Sequence, residues 1–227
     1  DIPFSNFLID IEDIKDSAET KIDDLYEGEN YRGFHLTFNA DGTITTRRVT
    51  RTWWYDDAAI REETDTQTID MPANGLLFAG EKTWVDGIIN GRVTLAVGEQ
   101  SDDDIIIHGN ITYANSTGTD VLGLIALEDI EFSRWLPENT VVFAAMLAQN
   151  GKIYRDLDWP YTLRDSLTIT GAMLYNETGY FKSSSGGSVT NGYIDTYYNY
   201  DNELTYSPPP AFPTEGTYQL LSWQETE

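Results

Sequence analysis

Ile88-Ile89-Asn90-Gly91-Arg92-Val93-Thr94-Leu95 and, a few residues on, Ile105-Ile106-Ile107-His108-Gly109-Asn110-Ile111-Thr112-Tyr113 share one rhythm: apolar β-formers, a small or polar residue, then apolar residues in alternation. Gly91 and Gly109 stand eighteen residues apart. Leu124–Phe132, Thr140–Ala148 and Leu167–Tyr175 repeat the phrase, at spacings of roughly 16 to 27 residues. A period near twenty with short strands and small residues at the bends is the pattern of a β-solenoid, in which each coil buries its apolar face only against its neighbours. The chain therefore reads as mainly all-β, with a right-handed parallel β-solenoid over residues 71–175. A sandwich of short strands is the competing architecture. Val141–Ala148 also reads as a short helix, because periodicity does not separate the two for a brief apolar run.

On the N-terminal side of the repeat, residues 1–70 read as a capping region. Phe7, Ile11, Ile14, Ala18, Ile22 and Leu25 are spaced by three and four, which predicts a helix over 4–26, capped by Ser5 or Asn6 and ended by Gly28. From Gly33 the period becomes two, and Asp41-Gly42 predicts a hairpin turn into Thr43–Arg51. On the C-terminal side, residues 176–227 are tyrosine-rich, with a Ser/Gly loop at 183–187 and Pro208-Pro209-Pro210, which must leave a sheet interior. They read as an aromatic, extended segment packing on the solenoid.

Composition narrows the partners. Lys and Arg number 14 against 38 Asp and Glu, a formal charge of −24 in 227 residues. Such a surface repels polyanions, so nucleic acid is not expected as a partner. Arg47, Arg48 and Arg51 form the one basic cluster, and on a strand Arg48 points away from the other two. The absence of cysteine removes disulfides, thiol nucleophiles and cysteine-based zinc sites together. No apolar run is long enough to span a bilayer.

The stretches VDGIINGRVTLAVG (85–98), DDDIIIHGNITYAN (102–115), VLGLIALEDIEF (121–132), VVFAAMLAQNG (141–151), LTITGAMLYNETGYF (167–181), YYNYDNELTYSPPPAFP (197–213) and LLSWQE (220–225) resemble the extracellular β-solenoid domain of bacterial PilX-like minor pilins, type IV pilin-like proteins many of which are known only as a domain of unknown function. The likeness runs from about Asn74 to Glu225. It implies a non-enzymatic cell-surface module with a structural or adhesive role in a type IV pilus-like filament or secretion machine. It also implies an extracellular location and pilin-like or other surface proteins as partners. In that family a membrane helix precedes the globular part; no such helix lies within these residues, and 1–70 match no part of the pattern.

Candidate chemistry is sparse. Asp102, Asp103 and Asp104 precede a strand, and hard cations such as Ca²⁺ take several carboxylate oxygens, but adjacent aspartates diverge where ligands should converge. They are the candidate metal residues; otherwise no cofactor is expected. Acids on adjacent coils, among them Glu128, Asp129 and Asp156, give an alternative reading as a carbohydrate-active β-helix enzyme, a polysaccharide lyase or glycoside hydrolase working with paired carboxylates. No catalytic residue is assigned. His35 and His108 read as surface strand residues. Trp53, Trp54 and Tyr55 are the candidate ligand-binding residues: exposed aromatics offer large contact area at small entropic cost, and carbohydrate or protein fits them. Capping an open solenoid end is their structural alternative. A homo-oligomer, or a self-assembling filament subunit whose coil ends stack, is the remaining expectation.

Overall fold

The computed structural model describes residues 4–28, 31–100, 103–115 and 118–214. It is mainly β, with a short helix α1 (Ile11–Ser17) near its start. The strands are β1 (Thr20–Lys21), β2 (Gly33–Phe38), β3 (Thr43–Trp53), β4 (Asp56–Asp70), β5 (Leu76–Ala79), β6 (Thr83–Ile89) and β7 (Arg92–Val97). They continue with β8 (Ile105–Tyr113), β9 (Val121–Ala126), β10 (Ile130–Phe132), β11 (Asn139–Tyr154), β12 (Leu163–Glu177), β13 (Lys182–Ser185) and β14 (Ser188–Tyr200), and a single turn of helix, α2 (Glu203–Tyr206), follows. All pair into one curled, mixed sheet.

Parallel ladders make the body. Leu77 pairs with Leu95, Leu95 with Leu124, Leu124 with Met146 and Met146 with Met173. A second ladder runs through Leu36, Val85, Ile107 and Phe132. Because side chains alternate across a strand, these residues face the inside of the curl, where they form the main core together with Ile105, Ile130 and Ile153. Their neighbours face out. Phe78, Ala96, Ile125 and Leu147 are covered by α1, through Ile11 and Ile14, and by Leu204 and Phe212 of the C-terminal segment. On the second ladder the outward residues Trp84 and Ile106 are covered by Val49 and Ala58 of β3 and β4.

The sheet is not parallel throughout: β2–β3–β4 and β13–β14 pair antiparallel. The hairpin turn at Asp41-Gly42 forms as its residues dictate, with Gly42 at φ +86° and the Asp41 carboxylate accepting from the Thr43 amide at 3.0 Å. The threonine-rich stretch after it becomes β4, and Val141–Ala148 is strand.

The long N-terminal helix is corrected. Its α-helical part is only α1, capped by Asp10 (its carboxylate accepts from the Glu12 amide at 3.1 Å), flanked by short 3-10 turns at Phe4–Phe7 and Asp23–Leu25, and the chain turns extended at Ala18. Thr20 and Lys21 instead pair with Leu77 and Phe78, and Ile22 donates to the Phe78 carbonyl at 2.8 Å. The open edge of β5 offers those backbone groups partners that a further helical turn does not. The tyrosine-rich tail is corrected in part: β14 does not lie along the side but continues the ladder beyond β12, Thr168 opposite Tyr197, and Ser183–Gly187 is not a loose loop, since Ser183–Ser185 belong to β13 and Gly186-Gly187 make the turn into β14. Residues 207–212 do run along the side. Thr94 donates to the Pro210 carbonyl at 2.5 Å, and a Cβ on Gly123 would stand 2.9 Å from Pro209.

Candidate functional site

Trp53, Trp54 and Tyr55 form the tip of the β3–β4 arm. The arm folds across the outward face of the second ladder and is fixed there by polar anchors. Trp84 donates from Nε1 to the Ala58 carbonyl at 2.7 Å, Trp135 from Nε1 to Asp56 at 2.8 Å, and Lys82 to Asp57 at 2.8 Å. Arg134, nearly buried, pairs with Asp156 and stands 3.8 Å from Asp56. The tip is thus held while its rings stay in solvent: Trp54 is 85% exposed and Trp53 39%.

The exposed rings are organised. Trp53 stacks on Tyr55 at 5.8 Å, Trp54 meets Tyr55 edge to face at 5.2 Å, and Tyr55 meets Trp159 at 6.2 Å. Arg61 lies over the Trp53 ring at 5.0 Å. On one side of Trp53 a groove of about 400 Å³ is lined by Trp54, Tyr31, Arg32, Asp57 and Lys82. On the other, a hollow of about 240 Å³ is lined by Tyr55, Ile60, His108 and Trp135. Flat aromatic faces thus stand beside charged and polar side chains at the tip of the arm.

Beneath the groove lies a buried acidic group. Lys82 bridges Asp57 and, at 3.6 Å, Asp104. Burial raises Asp104 to about 6 against the opposing charge of Lys82. Burial, reinforced by the charges of Asp57 and Asp56, raises Glu131 to about 8. Burial would also raise Asp57, but its hydrogen bond to Lys82 holds it below the ordinary range. Glu131 is thus held to its proton far more firmly than Asp57.

The other sequence candidates are placed as follows. Asp102 lies outside the described residues. Asp103 accepts from the Glu99 and Gln100 amides at 3.0 and 2.7 Å, and Asp104 from the Asp129 amide at 3.1 Å, so these carboxylates clasp backbone and do not converge. Asp129 accepts from the Lys152 amide at 2.7 Å and Glu128 from Asn150 at 3.2 Å. Two members of the basic cluster are ion-paired, Arg48 with Asp65 and Arg51 with Glu62 at 3.1 Å, while Arg47 donates to the Thr37 hydroxyl at 3.2 Å.

Only His35 departs fully from the expected surface position, since His108 is half-buried and lines the hollow beside Trp53. His35 is 7% exposed; its Nδ1 lies 2.5 Å from Glu63 and its Nε2 3.0 Å from Asp86. His108 meets it edge to face at 5.0 Å between ring centroids. Burial disfavours a charge on His35, but hydrogen bonds to the two carboxylates outweigh it and raise its affinity for a proton, whereas burial and the neighbouring His35 lower that of His108. The alternation Phe34-His35-Leu36 puts His35 on the outward face, as the sequence implies, but that face is covered by β4, whose Glu63 is 28 residues away in the chain.

Set against protein families, curated proteins and solved structures, the chain matches none of them. Among the described residues no helix is long and apolar enough to cross a membrane.

Proposed function

We propose that this chain is the cell-surface module of a pilin-like protein, a right-handed parallel β-solenoid that acts non-enzymatically by binding carbohydrate through the aromatic tip of its β3–β4 arm. The repeated parallel ladders and the family resemblance of residues 74–225 support the solenoid and the pilin-like class. The observation that carries the binding role is the set of Trp53, Trp54, Tyr55 and Trp159 rings held in solvent beside a polar groove. Three tryptophans kept exposed on anchored elements are hard to account for by stability, since burial would contribute more. Aromatic faces bind the C–H faces of sugar rings, and Arg32, Asp57 and Lys82 offer partners for hydroxyls. The module would take part in a filament or secretion machine at the cell exterior, with pilin-like proteins as its neighbours.

A panel of neutral and acidic polysaccharides tests the reading by titration calorimetry. Binding that weakens when Trp54 is replaced by Ala supports it, and no binding across the panel contradicts it. A second reading, a carbohydrate-active enzyme, is favoured by one observation: burial and the charges of Asp57 and Asp56 raise Glu131 to about 8, the range of a general acid. The same panel scored for new reducing ends separates the two, because an enzyme cleaves and loses cleavage in Glu131→Gln, whereas a binding module leaves every polymer intact.

A further inference from the structure

The structure assigns a second site to this chain: a divalent transition-metal site, best suited to Zn²⁺, formed by His35 of β2, Asp86 of β6 and His108 of β8, with Glu63 of β4 orienting His35. One ring nitrogen from each histidine and one Asp86 oxygen lie within 4.8 Å of one another. Ligands about 2.0–2.2 Å from a tetrahedral ion stand about 3.3–3.6 Å apart. The His35 Nε2 to Asp86 distance of 3.0 Å is already close to that spacing, so only His108 has to approach.

The backbone aims these groups. Val85 pairs with Ile107 and Gly87 with Ile111, which leaves residues 108–110 opposite Asp86 alone. This irregularity turns His108 toward Asp86, and it is tight: a Cβ on Gly109 would stand 2.9 Å from the Asp86 Cβ. His108 Nδ1 is buried and has no hydrogen-bond partner among the described residues. A buried imidazole nitrogen without a partner is costly, and coordination of a metal by this ring gives it a role. Glu63 accepts from His35 Nδ1, which leaves Nε2 to the ion and fixes the ring, the carboxylate–histidine–metal relay of known zinc sites.

The donor set selects the metal. Two imidazoles and one carboxylate suit Zn²⁺ and its first-row neighbours, whereas Ca²⁺ requires six or more oxygens. His108 also lines the hollow beside Trp53 and Trp135, which gives the ion a path in and leaves its remaining coordination position toward that hollow. The site would join β2, β4, β6 and β8 across the seam where the hairpin arm meets the ladder.

The test is calorimetric titration of the chelator-treated chain with Zn²⁺ in excess Ca²⁺, which occupies unspecific carboxylate sites. One high-affinity Zn²⁺ per chain is expected. His108→Ala should abolish it, and Glu63→Gln should weaken it about 10–100-fold, while Asp195→Asn, remote on β14, leaves it unchanged. Should a variant fail to fold, Co²⁺ added to the unaltered protein still decides: four-coordinate visible bands support the site and an octahedral spectrum overturns it. Absence of 1:1 binding, or equal binding by His108→Ala, also overturns it.

Discussion

Glu131 is nearly excluded from water, 6% exposed, and accepts a hydrogen bond from the Tyr154 hydroxyl at 3.4 Å. Burial and the charges of Asp57 and Asp56 hold its proton up to about 8, against 4.5 ordinarily. The folded state therefore binds this proton more tightly than the unfolded chain does. Its contribution to stability is complete below about pH 4.5, declines as pH rises and is lost once pH passes about 8. Asp104, raised to about 6, acts in the same direction over a lower window. Glu131→Gln, which keeps the shape without the titration, should flatten the fall in denaturation midpoint between pH 5 and 8; an unchanged pH profile would show that Glu131 is ionised in the fold. Sequence reveals that such a residue faces outward, since Ile130 and Phe132 face in. It does not reveal that Asp56 and Asp57, some 75 residues earlier, close over it. The same holds for His35 and His108: the alternation in each strand is legible, while the arm that buries them depends on distant residues.

At the level of elements, β11 and β12 run parallel over most of their length, Asn139 opposite Ser166 through Ala148 opposite Tyr175. Gly171 sits in this ladder at φ +149°, where a Cβ would fall 1.8 Å from the Ala144 carbonyl oxygen. No rotamer change relieves a backbone clash, so Gly171→Ala should destabilise the protein by about 1–3 kcal/mol or more, read from chemical denaturation; a neutral result would mean that the two strands are not packed in this register. The repeated strands are legible because each carries its own alternation, but the small residues do not all mark bends: Gly91 lies between β6 and β7, whereas Gly109, Gly123 and Gly171 lie inside β8, β9 and β12. The length of the N-terminal helix is not legible. Phe7, Ile11, Ile14, Ile22 and Leu25 keep helical spacing, yet beyond Ala18 the free edge of β5 competes for the backbone, and this edge exists only after the chain has folded. The aromatic run Trp53-Trp54-Tyr55 is plain in the sequence, whereas its neighbours Trp135 and Trp159 are not, because other loops deliver them.

For the whole molecule, a charge of −24 sets how copies meet. From Asp195 to Tyr200 β14 pairs with β12 alone among the described residues, and Tyr197, Tyr198 and Tyr200 are each more than half exposed there. An unpaired edge invites another strand, while the charge opposes approach. The screening length falls from about 30 Å at 0.01 M salt to about 8 Å at 0.15 M. Self-association measured by sedimentation should therefore strengthen as ionic strength rises; association that weakens with salt would point to an attractive charged interface instead.

The central claim, that the exposed tip of the arm binds carbohydrate, is tested most directly by titrating the purified protein and its Trp54→Ala variant with the best-bound polysaccharide of the panel while following tryptophan fluorescence. Trp54 contributes little to the core, so the variant should keep its denaturation midpoint and lose at least tenfold in affinity, about 1.4 kcal/mol. Equal affinity in the two proteins, with both folded, would contradict the account.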